Sequence, residues 1–368
     1  MAKHVESINI QSFRGIRNLS IQKFGDINVL IGDNNSGKTS LLEAIMLLVG
    51  PSDFSNFASV SRLRERYNFM SKGSLGLYDS FLYMFDRRNE NLNIKLDGEV
   101  NEHQIAIEVI GNKVKQLVDP KELRQFLSPL AQKRLTFEPI DIEEVEGFEG
   151  ELKYSHGGET KTEPILMHKY IKNIRVNRTE YSLPSRFIST IEHIVNNTSR
   201  SLFKSSSIKR DVVRALNIFD NNIIDIGIIQ EEDQRFIQAL EHRSLGMLPL
   251  STFGDGMKRM VSLAQGVVSA KNGVLLIDEI ETSIHKKAMR EVFNWLVEAC
   301  IKFDVQLFIT THSLEAVDEI LNSDENFQEQ IQTHIITLVK KDEQSVARVL
   351  DSNKARQVRD DYDMELRL

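Results

Sequence analysis

Eight consecutive residues, Gly32-Asp33-Asn34-Asn35-Ser36-Gly37-Lys38-Thr39, offer the clearest chemistry in the chain. Their types and spacing fit G-x-x-x-x-G-K-[ST], a phosphate-binding loop. Glycines let backbone N–H groups curl around phosphate oxygens, and a helix end behind them adds its positive dipole. Lys38 is expected to reach the β- and γ-phosphates. Thr39, with Ser40 beside it, is expected to offer a hydroxyl to Mg2+.

Three more groups lie downstream. Residues 273–279 run four apolar side chains into Asp278 and Glu279. Carboxylates at the C-terminal end of a buried parallel strand sit at the ligand edge of an open α/β sheet. Asp278 is placed to hold Mg2+ directly or through water, and Glu279 to polarise a water for in-line attack on a γ-phosphate. The segment Ser251-Thr252-Phe253-Gly254-Asp255-Gly256-Met257-Lys258-Arg259 opens a helix with an i, i+3, i+4, i+7 apolar face. Asp255 is read as its cap, with Gly254 and Gly256 baring its N–H groups, which gives a second anion-binding helix end. Residues 308–313 form a strand ending at His312, an imidazole able to sense a γ-phosphate by hydrogen bonding.

The elements that must hold these groups follow from periodicity. Residues 27–31 read as a short buried strand, and Leu41, Leu42, Ile45, Leu48 and Val49 fall at helical spacing. Residues 7–13 alternate as a strand, with a return over 19–24. Residues 75–85 read as a helix. Alternation over 92–118, divided at Gly98 and at Gly111-Asn112, reads as an antiparallel meander. Residues 120–134 read as a short helix, the acidic stretch 138–151 as loop and edge hairpin, 155–159 as a turn and 176–181 as a strand. The pattern over 184–218 is helical, and 223–229 and 236–240 read as strands. The last third alternates helix and strand: a helix from 256, strand 274–277, helix 286–301, strand 306–309, helix 314–321 and strand 333–339. Asp361-Tyr362-Asp363 lacks a preceding apolar strand and reads as a solvated helical tail.

Composition narrows the function classes. At 368 residues the chain exceeds the size at which a single core stops growing. Hydrophobic residues at 41% and charged residues at 27% argue against disorder. The net charge of -7 means that any nucleic-acid contact needs a local basic patch or one made by assembly. A single cysteine, Cys300, forbids an internal disulfide and fits a cytoplasmic chain. Neither a signal peptide nor a membrane span is expected, since no apolar run approaches roughly 20 residues.

Taken in order, Phe13-Arg14-Gly15, 32–39, 251–259, 275–279, 281–285 and 310–313 resemble the ABC-type ATPase heads of the RecF, SMC and OLD (overcoming lysogenisation defect) group. Within it the chain looks most like the stand-alone OLD-like ATPases of bacterial defence operons, such as the ATPase subunits of PARIS and Septu systems. The resemblance implies an α/β P-loop NTPase, an ABC-type ATPase head with an antiparallel β subdomain and a small helical insertion. It implies ATP and Mg2+ as the ligands. Residues Gly32 to Ser40 (Gly32, Asn34, Asn35, Ser36, Gly37, Lys38, Thr39, Ser40) match Walker A. Asp278 and Glu279 match Walker B and the catalytic base, and 281–285 the D-loop. His312 matches the switch histidine. Ser251, Gly254, Asp255, Gly256 and Arg259 match the signature that reaches a partner subunit's nucleotide. Arg14 matches an arginine near the α-phosphate or base. The expected division is 1–118, an N-terminal lobe with Walker A and the meander; 119–215, a variable insertion and helical region; and 216–368, a C-terminal lobe with the signature, Walker B, D-loop and switch histidine. No glutamine stands out for the Q-loop, and no TOPRIM nuclease domain is expected after the head.

Two classes of function follow. One is an ATPase whose nucleotide closes a head-to-tail homodimer, or an assembly of such dimers, and gates a separate effector such as a nuclease in anti-phage defence. The other is a RecF-like DNA-binding ATPase of repair or recombination, with Arg62, Arg64, Arg66, Lys169, Lys172, Arg175 and Arg178 as phosphate contacts.

Overall fold

The computed structural model describes residues 3–51, 54–65, 75–88, 91–118, 143–171, 181–194, 206–230 and 236–362. Strands β1 (Val5–Phe13) and β2 (Ile16–Ile21) form a hairpin. Strand β3 (Ile27–Ile31) feeds the phosphate loop and helix α1 (Lys38–Leu48). Short helices α2 (Phe54–Ser61) and α3 (Leu77–Leu82) follow. Strands β4 (Leu92–Val100), β5 (His103–Val118), β6 (Glu143–His156) and β7 (Glu159–His168) extend the first hairpin into an antiparallel sheet of order β2-β1-β4-β5-β6-β7. After β8 (Ser185–Ile188) and α4 (Ser206–Leu216), strands β9 (Ile223–Gln230), β10 (Phe236–His242) and β11 (Gly246–Pro249) make a small third sheet. The remaining elements are α5 (Asp255–Ser269), β12 (Gly273–Ile277), α6 (Lys286–Phe303), β13 (Val305–Thr310), α7 (Leu314–Glu325), β14 (Thr333–Lys341), β15 (Gln344–Asp351) and α8 (Ser352–Tyr362).

The main sheet has the order β15-β14-β3-β13-β12-β8, parallel throughout except for β15. Its central strands are buried on both faces, which is why they read as unbroken apolar runs rather than alternating ones. The period of two still sorts their side chains. Leu30, Val274, Leu276 and Phe308 join the core shared with α1 and the antiparallel sheet. Ile27, Val29, Leu275, Ile277, Leu307 and Ile309 join the core beneath α5, α6 and α7. Helix α1 thus lies between two sheets, and Leu41, Leu42, Ala44, Ile45, Leu47 and Leu48 are all fully buried. Burying a Leu or Ile side chain fully contributes about 1.5–3 kcal/mol, so the phosphate-loop helix is firmly anchored. Gln306 on β13 joins the sheets: its amide accepts from Val5 N at 2.7 Å and donates to Val5 O at 2.9 Å and Gly25 O at 2.8 Å.

Three expectations are corrected here. Gly98 and Gly111 do not separate strands; they lie inside β4 and β5. A Cβ at Gly98 would sit 2.3 Å from Ser7 O, and one at Gly111 2.4 Å from the Phe148 ring, so these glycines permit close strand approach. The edge hairpin read for the acidic region is present as β6 and β7 at the end of the antiparallel sheet, and only its loop part is corrected: β6 is strand from residue 143 and pairs with both β5 and β7, with Val145, Phe148, Leu152 and Tyr154 buried and Glu144, Glu146, Glu149 and Glu151 exposed. The turn at Gly157-Gly158 closes that hairpin, with φ of 58° and 90° suited to a type I′ turn. Finally, residues 185–188 are not helical but form β8, parallel to β12. The described strands of the 119–215 segment are therefore divided between the two large sheets. The helix read over 120–134 and residues 176–180 of the strand read over 176–181 lie outside the described residues.

Candidate nucleotide site

Helix α1 begins at Lys38, with Gly37 as its N-cap in a left-handed conformation, φ 106°. Gly32 stands at φ 139°, and a Cβ there would lie 2.3 Å from Leu338 O, so both backbone angle and space demand glycine. Asn35 is also left-handed at φ 64°. The first N–H groups of α1 have no intrahelical acceptor and open toward the loop. The Lys38 ammonium folds back over it, donating to Gly32 O at 2.8 Å and Asp33 O at 2.9 Å. Ser36 Oγ is buried without a hydrogen-bond partner. A strained, N–H-rich loop with a buried unpartnered hydroxyl and a lysine over it is a fit for polyphosphate.

A cavity of about 730 Å³ opens over this loop. Its lining takes in the loop and helix start at Asn34, Asn35, Ser36, Gly37, Lys38, Thr39 and Ser40, together with Arg14, Arg64, Tyr83, Arg87, His312 and Lys340. Arg14, in the β1–β2 turn at φ 51°, lines the cavity, but its guanidinium is already paired: Nε lies 2.6 Å from Glu43 Oε2. Arg64 grips the same carboxylate with two bonds of 2.8 Å and reaches Ser40 Oγ at 3.0 Å. Glu43 is 0% exposed. Arg64 therefore lines the cavity with its guanidinium committed to Glu43, while its side chain stays partly exposed. Of the other basic residues considered for DNA, Lys169 pairs with Glu146, and Arg66, Lys172, Arg175 and Arg178 lie outside the described residues.

Asp278 and Glu279 follow β12. Thr39 Oγ1 donates to Asp278 at 3.1 Å, and Thr310 Oγ1 donates to the same carboxylate at 2.7 Å. Two oxygen donors from opposite ends of the sequence thus meet, a hydroxyl and a carboxylate of the kind Mg2+ takes. Burial pushes the Asp278 carboxyl above its ordinary range, and the two threonine hydrogen bonds pull it back in part. Glu279 is left-handed at φ 49°, and its carboxylate lies 3.8 Å from His312 Nε2. Glu281 accepts from His312 N at 2.8 Å, which ties the turn after β12 to the end of β13.

The segment 251–259 places its residues differently from one another. Ser251, Gly254 and Asp255 are exposed and Gly256 is half-buried. Gly254, not Asp255, is the N-cap of α5, because its extended backbone at φ -65°, ψ 159° ends the preceding turn. Asp255 is the first helical residue and pairs with Lys258 at 3.1 Å. Gly256 is crowded from within: a Cβ would lie 3.0 Å from the Phe219 ring and 3.3 Å from Ser283 O. Nothing lies within 4 Å of a Cβ at Gly254, and its φ is ordinary, so nothing inside the subunit demands glycine there. Arg259 corrects the expectation of a contact in trans. It is 0% exposed and donates within its own chain to Ser189 O at 2.7 Å, Glu279 O at 3.1 Å and Asp278 O at 3.3 Å. The apolar face of α5 turns it inward.

Sequence reasoning missed Glu43, Arg64 as a cavity residue, and Thr310. Glu43 carried a signal: it is four residues after Thr39 and so on the same helix face. Thr310 directly precedes the Thr311-His312 pair. Asp361 and Tyr362 fall in α8, and Asp363 lies outside the described residues. Among the described residues no helix is long and apolar enough to cross a membrane.

Comparison with known proteins agrees with this geometry. The family model "AAA domain, putative AbiEii toxin, Type IV TA system" matches residues 27–318, well over half of the chain. An "ATP/GTP phosphatase" of Helicobacter pylori is 24% identical over 341 residues, spanning 85% of this chain and 86% of that protein. A "DNA replication and repair protein RecF" of Listeria monocytogenes is 24% identical over 188 residues, covering 48% of this chain and only 44% of its own length. Among solved structures, an Smc head domain with an extended coiled coil, bound to the C-terminal domain of ScpA derived from Pyrococcus furiosus, shares the fold with a TM-score of 0.52 at 11% identity, covering 98% of this chain and 100% of that one. The chain belongs to the family described as "AAA domain, putative AbiEii toxin, Type IV TA system", and it is an ATP-hydrolysing P-loop protein with the fold of an ABC-type ATPase head.

Proposed function

We propose that this ATPase binds Mg-ATP between two copies of the chain, joined head to tail, and that hydrolysis reopens the pair. The carrying observation is the α5 tip: Gly254 and Asp255 are exposed, and no neighbouring atom or unusual φ within the subunit demands glycine at the Gly254 N-cap. A glycine where the subunit leaves room for a larger side chain suits close approach by an outside body, here a neighbour's triphosphate. The residues take these roles. Lys38 and the α1 N–H groups orient the β- and γ-phosphates. Thr39 and Asp278 would hold Mg2+, which when bound neutralises charge on the phosphate oxygens. Glu279 accepts a proton from the attacking water, and His312 donates a hydrogen bond toward the γ-phosphate. Gly254, Asp255 and Gly256 of the neighbour complete the cage, so a lone subunit turns over slowly. The relative from Helicobacter pylori, described as an ATP/GTP phosphatase, supports the same chemistry here.

The finer reading is an OLD-like defence ATPase in which the dimer cycle holds and releases a separate effector such as a nuclease. The lobes 1–118 and 216–368, with β8 completing the main sheet, then form the ATPase, and the remainder of 119–215 carries the effector contact. Strand β7 of that segment is an edge among the described strands, and open edges accept added strands. The RecF-like alternative is weakened by Arg64, whose guanidinium lines the nucleotide cavity and is held there by Glu43. Steep salt dependence of DNA binding would restore it.

The test uses size-exclusion chromatography with light scattering. Glu279→Gln with ATP is expected to run as a dimer, and Lys38→Ala to stay monomeric and bind no nucleotide. A Glu279→Gln protein whose mass with ATP equals its apo mass would overturn the proposal.

A further inference from the structure

Glu279 holds a left-handed backbone that non-glycine residues rarely adopt, so something must fix it there. Its peptide is pinned from both sides. Glu279 N donates to Thr310 Oγ1 at 2.8 Å. Glu279 O accepts from Arg259 Nη2 at 3.1 Å, and the same nitrogen lies 3.3 Å from Asp278 O. The other arm of the guanidinium, Nη1, donates to Ser189 O at 2.7 Å. Ser189 directly follows β8, the strand beside β12. One buried planar cation thus braces the Asp278–Glu279 turn against the neighbouring strand.

Arg259 belongs to the first turns of α5, the helix whose tip is Gly254–Gly256. We propose that Arg259 is a positioning residue that couples two nucleotide sites. It fixes the backbone of Glu279 in one site to the helix that meets the nucleotide of the other. A shift of α5 when its tip engages a neighbour is carried through a rigid fork to the two carbonyls that set the direction of the Glu279 carboxylate. Lysine cannot reproduce this, because an ammonium is a point donor on a flexible stem. The inference rests on the proposed head-to-tail reading and adds a direction of information flow to it.

The experiment compares Arg259→Lys, Arg259→Met and Glu279→Gln, singly and with Arg259→Lys and Glu279→Gln combined, in the full chain. ATP turnover and affinity for the non-hydrolysable analogue AMP-PNP are read together. Arg259→Lys is expected to lower kcat about tenfold or more while leaving AMP-PNP affinity within about threefold. Added to Glu279→Gln, it is expected to change the residual rate by less than about twofold, since a residue acting through Glu279 has nothing left to act on. Arg259→Met tests the same point without donors, and Arg259→Lys keeps the question answerable if the Met variant does not fold. Turnover of Arg259→Lys within about twofold of the parent, or losses that multiply in the combined variant, would overturn the coupling. Loss of AMP-PNP binding in proportion to turnover would overturn it too, marking Arg259 as a packing residue only. Full turnover by Glu279→Gln alone is a different failure: it removes the functional reading itself.

Discussion

Glu43 offers a quantitative test of how the cavity wall is held. Its carboxylate is 0% exposed on α1 and is shared by Arg14, whose side chain is 8% exposed, and Arg64, whose side chain is 45% exposed. Glu43→Gln keeps the volume and removes the charge. Breaking a buried pair by removing one partner costs about 3–5 kcal/mol. The half-exposed Arg64 retains solvent, so its share is discounted and about 3 kcal/mol is expected for the site. With about 2.1 cal/mol/K of unfolding entropy per residue, roughly 0.8 kcal/mol/K for 368 residues, Tm falls by about 4 °C. The same change raises the local positive charge, so nucleotide affinity is not lost. At a hundredfold excess over Kd, an ATP analogue stabilises by about 2.7 kcal/mol, and the variant should show at least the parent's rise in Tm. Thermal unfolding by circular dichroism, with and without Mg-AMP-PNP, measures both. An apo Tm within about 1 °C of the parent would refute the buried-pair reasoning, and disappearance of the ligand-induced rise would refute the claim that Glu43 supports the wall rather than the nucleotide.

Three further outcomes follow from the geometry. Gly254→Ala should leave apo stability within about 1 kcal/mol of the parent yet weaken ATP-driven dimerisation, whereas Gly256→Ala, which meets Phe219, should lose about 1–2 kcal/mol of apo stability; calorimetry and light scattering separate the two. Burial holds His156, His193 and His334 below the ordinary 6.5, so the unfolded chain protonates first and stability drops as pH falls through that value. Tm should therefore decline from pH 7.5 to 5.5, less steeply in His334→Gln, and an identical slope in that variant would contradict the assignment. Cys300 is fully buried and its thiol pKa is pushed far up by desolvation, so a thiol reagent should label it only after denaturant is added.

What the sequence made legible was local. The phosphate loop, its strand and its helix are contiguous, so motif and periodicity reinforce each other over residues 27–49. The apolar runs of β12 and β13 announced buried parallel strands in the same way. Charge misled over β6: the acidic count masked Phe148, Leu152 and Tyr154, which share one buried face of the strand, while Val145 is buried on the other face. Strand β8 is four residues long, and its partner lies almost ninety residues later, so no window could reveal it. Arg259 shows the limit of a motif. Type and position suggested a role in trans, but only the three-dimensional packing of α5 on the turn after β12 decides where a guanidinium points.

The placement of β3 between β13 and β14 has a consequence for biosynthesis. The strand that carries the phosphate loop is made before either neighbour, and β13 and β14 follow roughly 280 and 305 residues later. At ribosomal speeds of about 5–20 residues per second, its edges wait roughly 15–60 seconds for partners. During that interval an apolar segment without a sheet is a natural client for chaperones, and the ATPase centre can be assembled only once the later strands have arrived.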